Sequence, residues 1–225
     1  MGQWDTHKRL LWETAQEMAR RGLVTGTSGN ASLRLPSGAQ GELLAITPTQ
    51  RPYSQLAPEE MVVLDLEGEQ VEGELAPSSE TALHLAIYRA RRDVGAVLHT
   101  HSVFASVLAV TGTELPPIVD EMVVLVGGPV KVAQYAFPGT EELAQRALEA
   151  LEERNAVLLR NHGLAGVGRS LQEALEVCHL VERVAQTYVY STLLGRVSPL
   201  PAEMVAVEQE LFRMRRRVDQ EQERG

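Results

Sequence analysis

The order of apolar and polar positions divides the chain into helical and strand-like segments. Apolar side chains that recur every three or four residues predict helices. These segments are 5–21, 80–92, 102–110, 140–153, 170–194 and 202–217. Short apolar or alternating runs bounded by turn residues predict strands. These runs are 31–35, 42–47, 61–65, 94–98, 122–126, 130–133 and 156–160.

The connections between these elements indicate the architecture. Short turns such as Pro36-Ser37-Gly38 and Glu67-Gly68 join several strands, so we predict a largely antiparallel sheet with helices packed on it. The chain has 225 residues and shows no internal repeat or linker, which favours one domain over 1–225. Residues 203–225 are expected to form a C-terminal helix and tail, frayed from Asp219 onward.

Composition narrows the class of protein. Asp and Glu total 30 against 21 Lys and Arg, a formal charge of -9, which argues against a general nucleic-acid binder. We find no run of about 18 apolar residues, and Met1–Leu10 lacks the apolar region of a signal peptide, so we expect a cytoplasmic protein without a membrane span. The single cysteine, Cys178, lies in an apolar pattern and is predicted to be a core residue.

Histidines follow two of the predicted core strands. His99 and His101 come directly after the run 94–98, and residues i and i+2 of a strand point to one side. They are either two nitrogen ligands of one metal or ordinary polar residues at a strand end. His162 follows strand 156–160 and can complete a three-histidine site with an open position, as in catalytic zinc sites. His7 and His179 are expected at the surface or at the edge of the core.

A glutamate stands at the start of a predicted helix. In Pro77-Ser78-Ser79-Glu80 a serine can cap the helix, and a carboxylate near a helix N-terminus is stabilised by the dipole. The alternative is that Glu80 faces a metal as general acid/base while the serines and free N–H groups hold a phosphate. His84, one turn further, is interpreted as a packed histidine, with a ligand or orienting role as the alternative.

Two further segments suit an anion. Gly26-Thr27-Ser28-Gly29-Asn30 and Thr47-Pro48-Thr49 offer hydroxyls and a flexible backbone, although either can be only a tight turn. No Gly-x-Gly-x-x-Gly follows a strand and no P-loop pattern occurs, so nucleotide cofactors are not indicated.

These motifs together resemble a known family. In chain order they are Gly26-Thr27-Ser28-Gly29-Asn30, Thr47-Pro48-Thr49, Pro77-Ser78-Ser79-Glu80, His99-Thr100-His101, Tyr135-Ala136-Phe137-Pro138-Gly139-Thr140 with Glu142-Leu143, and Asn161-His162-Gly163. The set closely resembles the class II, metal-dependent aldolases of the L-fuculose-1-phosphate aldolase and L-ribulose-5-phosphate 4-epimerase superfamily. The likeness extends over roughly residues 5–195.

The resemblance implies a three-layer α/β/α sandwich with a central, mainly antiparallel sheet. It also implies a homotetramer with active sites between subunits and one Zn²⁺ per subunit. His99, His101 and His162 would bind the zinc. Glu80 would be the acid/base and would touch the metal when substrate is absent. The residues implied around the substrate phosphate are Gly29, Asn30, Thr49, Ser78 and Ser79.

The implied reaction is cleavage of a ketose 1-phosphate to dihydroxyacetone phosphate and an aldehyde. Some positions depart from the aldolase pattern. Gln50 stands where these aldolases usually have glycine. The family tyrosines near Glu121 and after Tyr190 have no counterpart, which leaves specificity for L-fuculose 1-phosphate open. The basic run 213–217 is interpreted as a solvated helix face rather than a contribution to a neighbour's site.

Four other functions are alternatives to this one. A methylthioribulose-1-phosphate dehydratase has a similar three-histidine and glutamate set and stays an alternative. The 4-epimerase usually carries aspartate after Pro-Ser-Ser, whereas Glu80 fits the aldolases. A non-catalytic adducin-like domain would lose the histidines, and a general zinc hydrolase would not explain the phosphate motifs.

Overall fold

An eight-stranded sheet forms the centre of the molecule, with strand order β4-β3-β2-β1-β5-β8-β7-β6. The structure is a computed structural model and describes residues 2–36 and 41–222. Neighbouring strands are antiparallel except β6 and β7, which are parallel. The strands are β1 Asn30–Arg34, β2 Leu43–Ile46, β3 Val62–Asp65, β4 Gln70–Glu72, β5 Ala96–Thr100, β6 Val132–Ala133, β7 Ala156–Leu159 and β8 Gly163–Gly168.

Helices cover both faces of this sheet. They are α1 Asp5–Arg20, α2 Thr81–Ala90, α3 Val103–Thr111, α4 Asp120–Val126, α5 Glu141–Leu151, α6 Leu171–Leu193 and α7 Ala202–Gln222. Short 3₁₀ turns occur at Tyr53–Gln55 and Pro58–Glu60. Helices α2 and α5 pack on one face, whereas α1, α3, α4 and α6 pack on the other.

The alternation of side chains along the central strands creates two apolar cores. In β5, Ala96 and Leu98 face one core and Val97 faces the other. Because both faces of the sheet are buried here, strands such as β2 and β7 are apolar throughout rather than half polar. The predicted three-layer α/β/α sandwich with a mainly antiparallel sheet is therefore confirmed. The assignment of 1–225 to a single domain stays a prediction.

The strand predicted at 122–126 is wrong, because these residues lie in helix α4. Asp120 and Glu121 occupy its first turn, where carboxylates favour a helix N-terminus, and Gly127 ends it in the left-handed conformation. The strand in the structure is shorter than the one predicted at 130–133. Only Val132–Ala133 form β6, and Val130 makes an isolated bridge with Leu115.

Strands β4 and β8 were not predicted, and the C-terminal end differs too. Helix α7 continues to Gln222, beyond the predicted fraying point at Asp219, while residues 223–225 lie outside the described residues. Residues 37 and 38 of the turn predicted at 36–38 lie outside them as well. In the basic run, Arg216 departs from the predicted solvated face. It is half-buried and its Nη2 lies 2.6 Å from Asp93 Oδ2.

The remaining predictions about single residues can be compared directly. Cys178 is fully buried, and burial raises the pKa of its thiol to about 12, as expected for a core cysteine. Within the described residues, no helix is both long enough and apolar enough to cross a membrane.

Candidate metal centre and active site

Three imidazoles meet at the end of the two central strands β5 and β8. His99 and His101 lie at and just after the end of β5, and His162 lies in the turn between β7 and β8. His99 Nε2 is 2.8 Å from His101 Nε2 and 3.2 Å from His162 Nε2. The fold therefore brings together three histidines from two distant segments. They are the same three that the sequence predicts as metal ligands.

The orientation of His99 is fixed by the neighbouring strand. Its Nδ1 lies 3.0 Å from the carbonyl oxygen of Leu164 in β8. A carbonyl only accepts, so Nδ1 carries the proton and donates it. The unprotonated Nε2 is then turned toward the cluster, which is the arrangement typical of a metal-ligating histidine.

Gly163 allows the rings to pack this closely. A Cβ at this position would lie 2.3 Å from the Thr100 carbonyl oxygen, 3.1 Å from His101 Cδ2 and 3.3 Å from His99 Cε1. Asn161, two residues earlier, adopts a left-handed φ of 57° in the same turn. The turn that carries His162 thus depends on a residue without a side chain immediately after it.

Glu80 reaches the cluster from the N-cap position of α2. Its Oε2 lies 3.0 Å from His99 Nε2 and its Oε1 lies 3.3 Å from His162 Nε2. Asn30 Nδ2 donates to Oε2 over 3.0 Å. In the described part of the chain, Oε1 is buried without a hydrogen-bond partner.

The charge state of the cluster suits a cation. Burial first, and then the neighbouring imidazoles, lower the pKa of His101 and of His162 to about 4, so both are neutral near pH 7. Burial by itself would raise the pKa of Glu80, but the adjoining His99 and His162 rings and the hydrogen bond from Asn30 outweigh it and hold that pKa well below its usual range. Neutral imidazoles beside a carboxylate are the donor set that divalent transition metals prefer.

The spacing of the donors also fits one metal ion. One ligand atom from each of Glu80, His99, His101 and His162 lies within 4.8 Å of the others. Zinc–nitrogen bonds are about 2.0–2.1 Å, which places tetrahedral nitrogens roughly 3.3 Å apart. The nitrogen separations of 2.8 and 3.2 Å are close to this value. The residues therefore fit a divalent metal, with Glu80 as the fourth donor.

The other histidines lie apart from this cluster. His84 is fully buried and bonds to Ser32 and Asn30, so it is not among the donors but contacts a neighbour of Glu80. His179 is exposed and His7 is half-buried, as predicted. Glu121 forms an ion pair with Arg183 at the surface.

The segments predicted to hold a phosphate are neighbours in the fold. The Ser78 N–H donates to the Thr47 carbonyl over 3.1 Å, and the Thr49 N–H donates to the Ala76 carbonyl over 3.0 Å. Gly29 has a φ of +73°, and a Cβ there would lie 2.6 Å from the His99 carbonyl oxygen. The segment with Gly29 and Asn30 is thereby pressed against the strand that carries the histidines.

The hydroxyls of these segments differ in exposure. Ser79 is exposed, Thr49 is half-buried, and Ser78 is 7% exposed. Ser78 Oγ accepts the N–H of Glu80 over 3.2 Å, so this serine holds the residue before the helix rather than capping α2 itself. A Cβ at Gly139 would lie 2.6 Å from the Ser79 carbonyl, which brings the segment 135–140 next to the same loop.

Gln50, which departs from the family pattern, has a backbone conformation that favours glycine. Its φ is 55°, in the left-handed region where glycine is the favoured residue. A glutamine therefore occupies a conformation that glycine adopts without cost.

Sequence analysis did not identify Ser32 and Tyr88, which bond to each other and, through Ser32, to His84. A signal for both exists in the sequence. Ser32 shares a strand face with Asn30, and Tyr88 shares a helix face with His84 and Glu80 at four-residue spacing. Polar residues on the inner faces of two apolar elements indicate a buried hydrogen-bond network.

Known proteins share both the sequence and the fold. The family model of the class II aldolase and adducin N-terminal domain matches residues 9–189. The 5-deoxy-D-ribulose 1-phosphate aldolase of Bacillus thuringiensis serovar kurstaki is 40% identical over 188 residues, covering 84% of this chain and 86% of the relative. The L-fuculose phosphate aldolase of Escherichia coli (strain K12) is 38% identical over 208 residues, covering 91% and 93% respectively.

A solved structure agrees with these relatives. The structure of an L-fuculose 1-phosphate aldolase superposes with a TM-score of 0.85 at 36% identity, covering 92% of this chain and 95% of its own. The chain therefore belongs to the class II aldolase family, and it is a lyase of the aldolase type.

Proposed function

We propose that this chain is a zinc-dependent aldolase that cleaves a ketose 1-phosphate to dihydroxyacetone phosphate and an aldehyde. The observation that carries the proposal is the convergence of three imidazole Nε2 atoms and one carboxylate beside the segments 29–30, 47–49 and 77–79. The relatives named above act on phosphorylated ketoses that differ away from the phosphate. This supports the substrate class and leaves the aldehyde to experiment.

His99, His101 and His162 are the proposed zinc ligands, and Glu80 is the fourth in the absence of substrate. Zinc held there would supply Lewis-acid stabilisation of the negative charge that develops on substrate oxygens. The three rings contribute by presenting neutral Nε2 atoms in a fixed geometry. Hydrogen bonding of His99 to the Leu164 carbonyl keeps the correct nitrogen directed inward.

Glu80 is the proposed acid/base. In the cleavage direction the C4 hydroxyl loses its proton as C4 becomes the aldehyde carbonyl, and the C3–C4 bond breaks with its electron pair left on C3. C3 then takes up one proton through Glu80, so that no net proton is gained or lost. In the synthetic direction the carboxylate removes that proton. The lowered pKa of Glu80 favours the carboxylate form, which is the form needed for proton removal.

Gly29, Asn30, Thr49, Ser78 and Ser79 are the proposed binding site for the substrate phosphate. Hydroxyls and backbone N–H groups beside a helix N-terminus favour an anion. Glu80 stands at the N-terminus of α2, directly after Ser78 and Ser79. Phosphate and acid/base are thereby held at a fixed separation.

A tetramer with active sites between subunits is part of the proposal. Val103, Val107 and Val110 form an exposed apolar stripe on α3, which begins two residues after His101. Burial of this stripe against a neighbouring subunit would place that subunit beside the metal site. Light scattering should give about four times the chain mass of 24.7 kDa, and a monomeric mass would reject this part. A cytoplasmic location is proposed with it, supported by the single unpaired cysteine.

The reaction is tested by product analysis with a panel of ketose phosphates. The panel includes L-fuculose 1-phosphate, 5-deoxyribulose 1-phosphate, 5-methylthioribulose 1-phosphate and L-ribulose 5-phosphate, assayed for released dihydroxyacetone phosphate. Release from at least one ketose 1-phosphate is expected. A dehydrated product that keeps all its carbons would establish the dehydratase, and an inverted C4 centre would establish the epimerase.

Glu80→Gln separates the two proposed roles of the carboxylate. The variant should keep its zinc, because the three imidazoles are unchanged, and should lose turnover by about a hundred-fold or more. Undiminished turnover would show that Glu80 is not the acid/base.

A further inference from the structure

A chain of buried polar side chains extends from Glu80 into the core between β1 and α2. Asn30 is 3% exposed, Tyr88 is 1% exposed, and Ser32 and His84 are completely buried. Buried polar groups are costly unless they are hydrogen-bonded, so four of them in one place call for a joint explanation.

The four side chains form one continuous hydrogen-bonded path. Tyr88 OH lies 2.8 Å from Ser32 Oγ, and Ser32 Oγ lies 2.6 Å from His84 Nδ1. His84 Nε2 lies 2.5 Å from Asn30 Oδ1, and Asn30 Nδ2 lies 3.0 Å from Glu80 Oε2. Each heteroatom of the His84 ring thus has one partner.

The direction of every bond in this path follows from its last member. An ionised carboxylate only accepts, so Asn30 turns its amide nitrogen toward Glu80 and its oxygen toward His84. Asn30 Oδ1 needs a donor, so His84 carries its proton on Nε2. His84 Nδ1 then accepts from the Ser32 hydroxyl, whose oxygen accepts from Tyr88.

Burial agrees with a neutral ring at this place. Removal from water, and next the nearby His99, lower the pKa of His84 to about 3. A neutral imidazole has one donor and one acceptor nitrogen, which are the two functions that Asn30 and Ser32 require. A doubly protonated ring would donate from both nitrogens and reverse the Ser32 bond.

We propose that His84 is a positioning residue for Glu80. In the Nε2–H tautomer, with Nδ1 accepting from Ser32, it locks the Asn30 amide with its nitrogen toward the carboxylate. Without that lock, the amide is free to turn its oxygen toward the carboxylate, which is repelled. An amide nitrogen has two N–H bonds, so Asn30 can bind Glu80 and a phosphate oxygen together. The proposal rests on the proposed function, in which Glu80 moves the proton.

The tautomer is tested on the zinc-loaded protein by neutron diffraction, which locates deuterium on nitrogen. Deuterium on His84 Nε2 and none on Nδ1 supports the proposal. Deuterium on Nδ1, alone or together with Nε2, overturns it. This readout is independent of any enzymatic activity.

The functional consequence is tested by two substitutions of the same residue. His84→Gln can still donate to Asn30, whereas His84→Leu fills the space without a hydrogen bond. With zinc bound, His84→Leu should lower kcat about 10–100-fold, as is usual for residues that orient an active-site group. KM should change less than kcat, and His84→Gln should recover most of the loss. His179→Leu, at an exposed histidine, should behave as the wild type and serves as the control.

The outcomes distinguish this proposal from the proposed function. If His84→Leu keeps its kcat, or His84→Gln is equally impaired, the positioning role is wrong while the aldolase assignment stands. If the unmodified protein releases no dihydroxyacetone phosphate from any ketose phosphate, the proposed function is wrong. The neutron result alone then decides whether His84 has the proposed tautomer. Should His84→Leu fail to fold, His84→Gln and the neutron map still decide.

Discussion

The metal end and the phosphate end of the candidate site are built in different ways. At the metal end, His99, His101 and His162 extend from strand ends and touch each other through their ring nitrogens. At the phosphate end, the segments around Thr49 and Ser78 are held by backbone hydrogen bonds, and Ser79 is exposed.

The difference shows what each end requires of the sequence. The metal end depends on the identity of particular side chains, because only imidazole nitrogens and a carboxylate supply its donors. The phosphate end depends more on the course of the backbone, which brings hydroxyls and N–H groups of separate segments to one place. Substitutions at the first end should abolish function, and those at the second should weaken binding.

The largest effect is expected from His101→Ala. Removal of one of three imidazoles should release the metal and lower activity about a thousand-fold or more, since Lewis-acid stabilisation is worth several kcal/mol. Elemental analysis and turnover measure the two losses. His179→Ala removes an exposed imidazole and should keep both zinc and activity. Full metal content in His101→Ala would remove this residue from the ligand set.

Gly163→Ala tests whether the close packing of the histidine rings requires a glycine at this position. The new Cβ would overlap the Thr100 carbonyl oxygen at 2.3 Å and press on the rings of His99 and His101. Overpacking of this kind costs about 1–3 kcal/mol of folding free energy. We expect a lower melting temperature together with a metal affinity reduced roughly ten-fold.

Gly166→Ala is the matched control for that substitution. It lies on the same strand, but its Cβ would meet Cys178 Sγ at 2.4 Å, away from the histidines. It should lower stability and leave metal affinity unchanged. Equal loss of zinc affinity in both variants would show that the histidine turn has no special dependence on Gly163.

Thr49→Val tests the phosphate end with a substitution that removes only a hydroxyl. Loss of a hydrogen bond to a charged phosphate costs about 1.5–3 kcal/mol. KM and the inhibition constant for inorganic phosphate should rise about ten-fold or more, with kcat changed less. Thr14→Val, at a half-buried threonine of α1 whose hydroxyl donates to the Leu10 carbonyl, should change neither. A fall in kcat at constant KM would contradict a binding role.

The smallest effect is expected from Gln50→Gly. The left-handed φ of 55° costs a side-chain residue about 1–2 kcal/mol, part of which glycine loses again through its freedom in the unfolded chain. Denaturant titration should show a gain of roughly 0.5–1 kcal/mol, with activity nearly unchanged. Gln50→Ala retains the strained conformation and should show no gain. A large change in KM would mean that the glutamine side chain itself contacts substrate.

The metal end was predictable from the sequence because its signal is local. His99 and His101 share one strand face, and His162 also follows an apolar strand, so residue type and spacing were sufficient. Their meeting was a hypothesis, because it requires β5 and β8 to be neighbours. Strand pairing depends on contacts between distant segments, so the pattern of apolar residues in either strand does not predict it.

Two errors in the fold have physical causes. Residues 122–126 are continuously apolar, and an apolar run of this length does not distinguish a buried strand from a short buried helix. Strand β8 contains Gly163, Gly166 and Gly168, which read as breakers. Their lack of side chains lets α6 approach closely, as the contact of Gly166 with Cys178 shows.

The phosphate end could be predicted only in outline. Small and hydroxylated residues indicated the segments, but the alternative of simple tight turns had the same signal. The contacts that join them, such as Ser78 N–H to the Thr47 carbonyl at 3.1 Å, are made by backbone atoms and leave no mark on side-chain identity.

The most direct test of the account is a crystal structure of the zinc-loaded protein with anomalous data at the zinc edge. We predict one ion per chain, about 2.0–2.1 Å from Nε2 of His99, His101 and His162. An ion bound elsewhere, or coordinated by fewer than three of these rings, would contradict it.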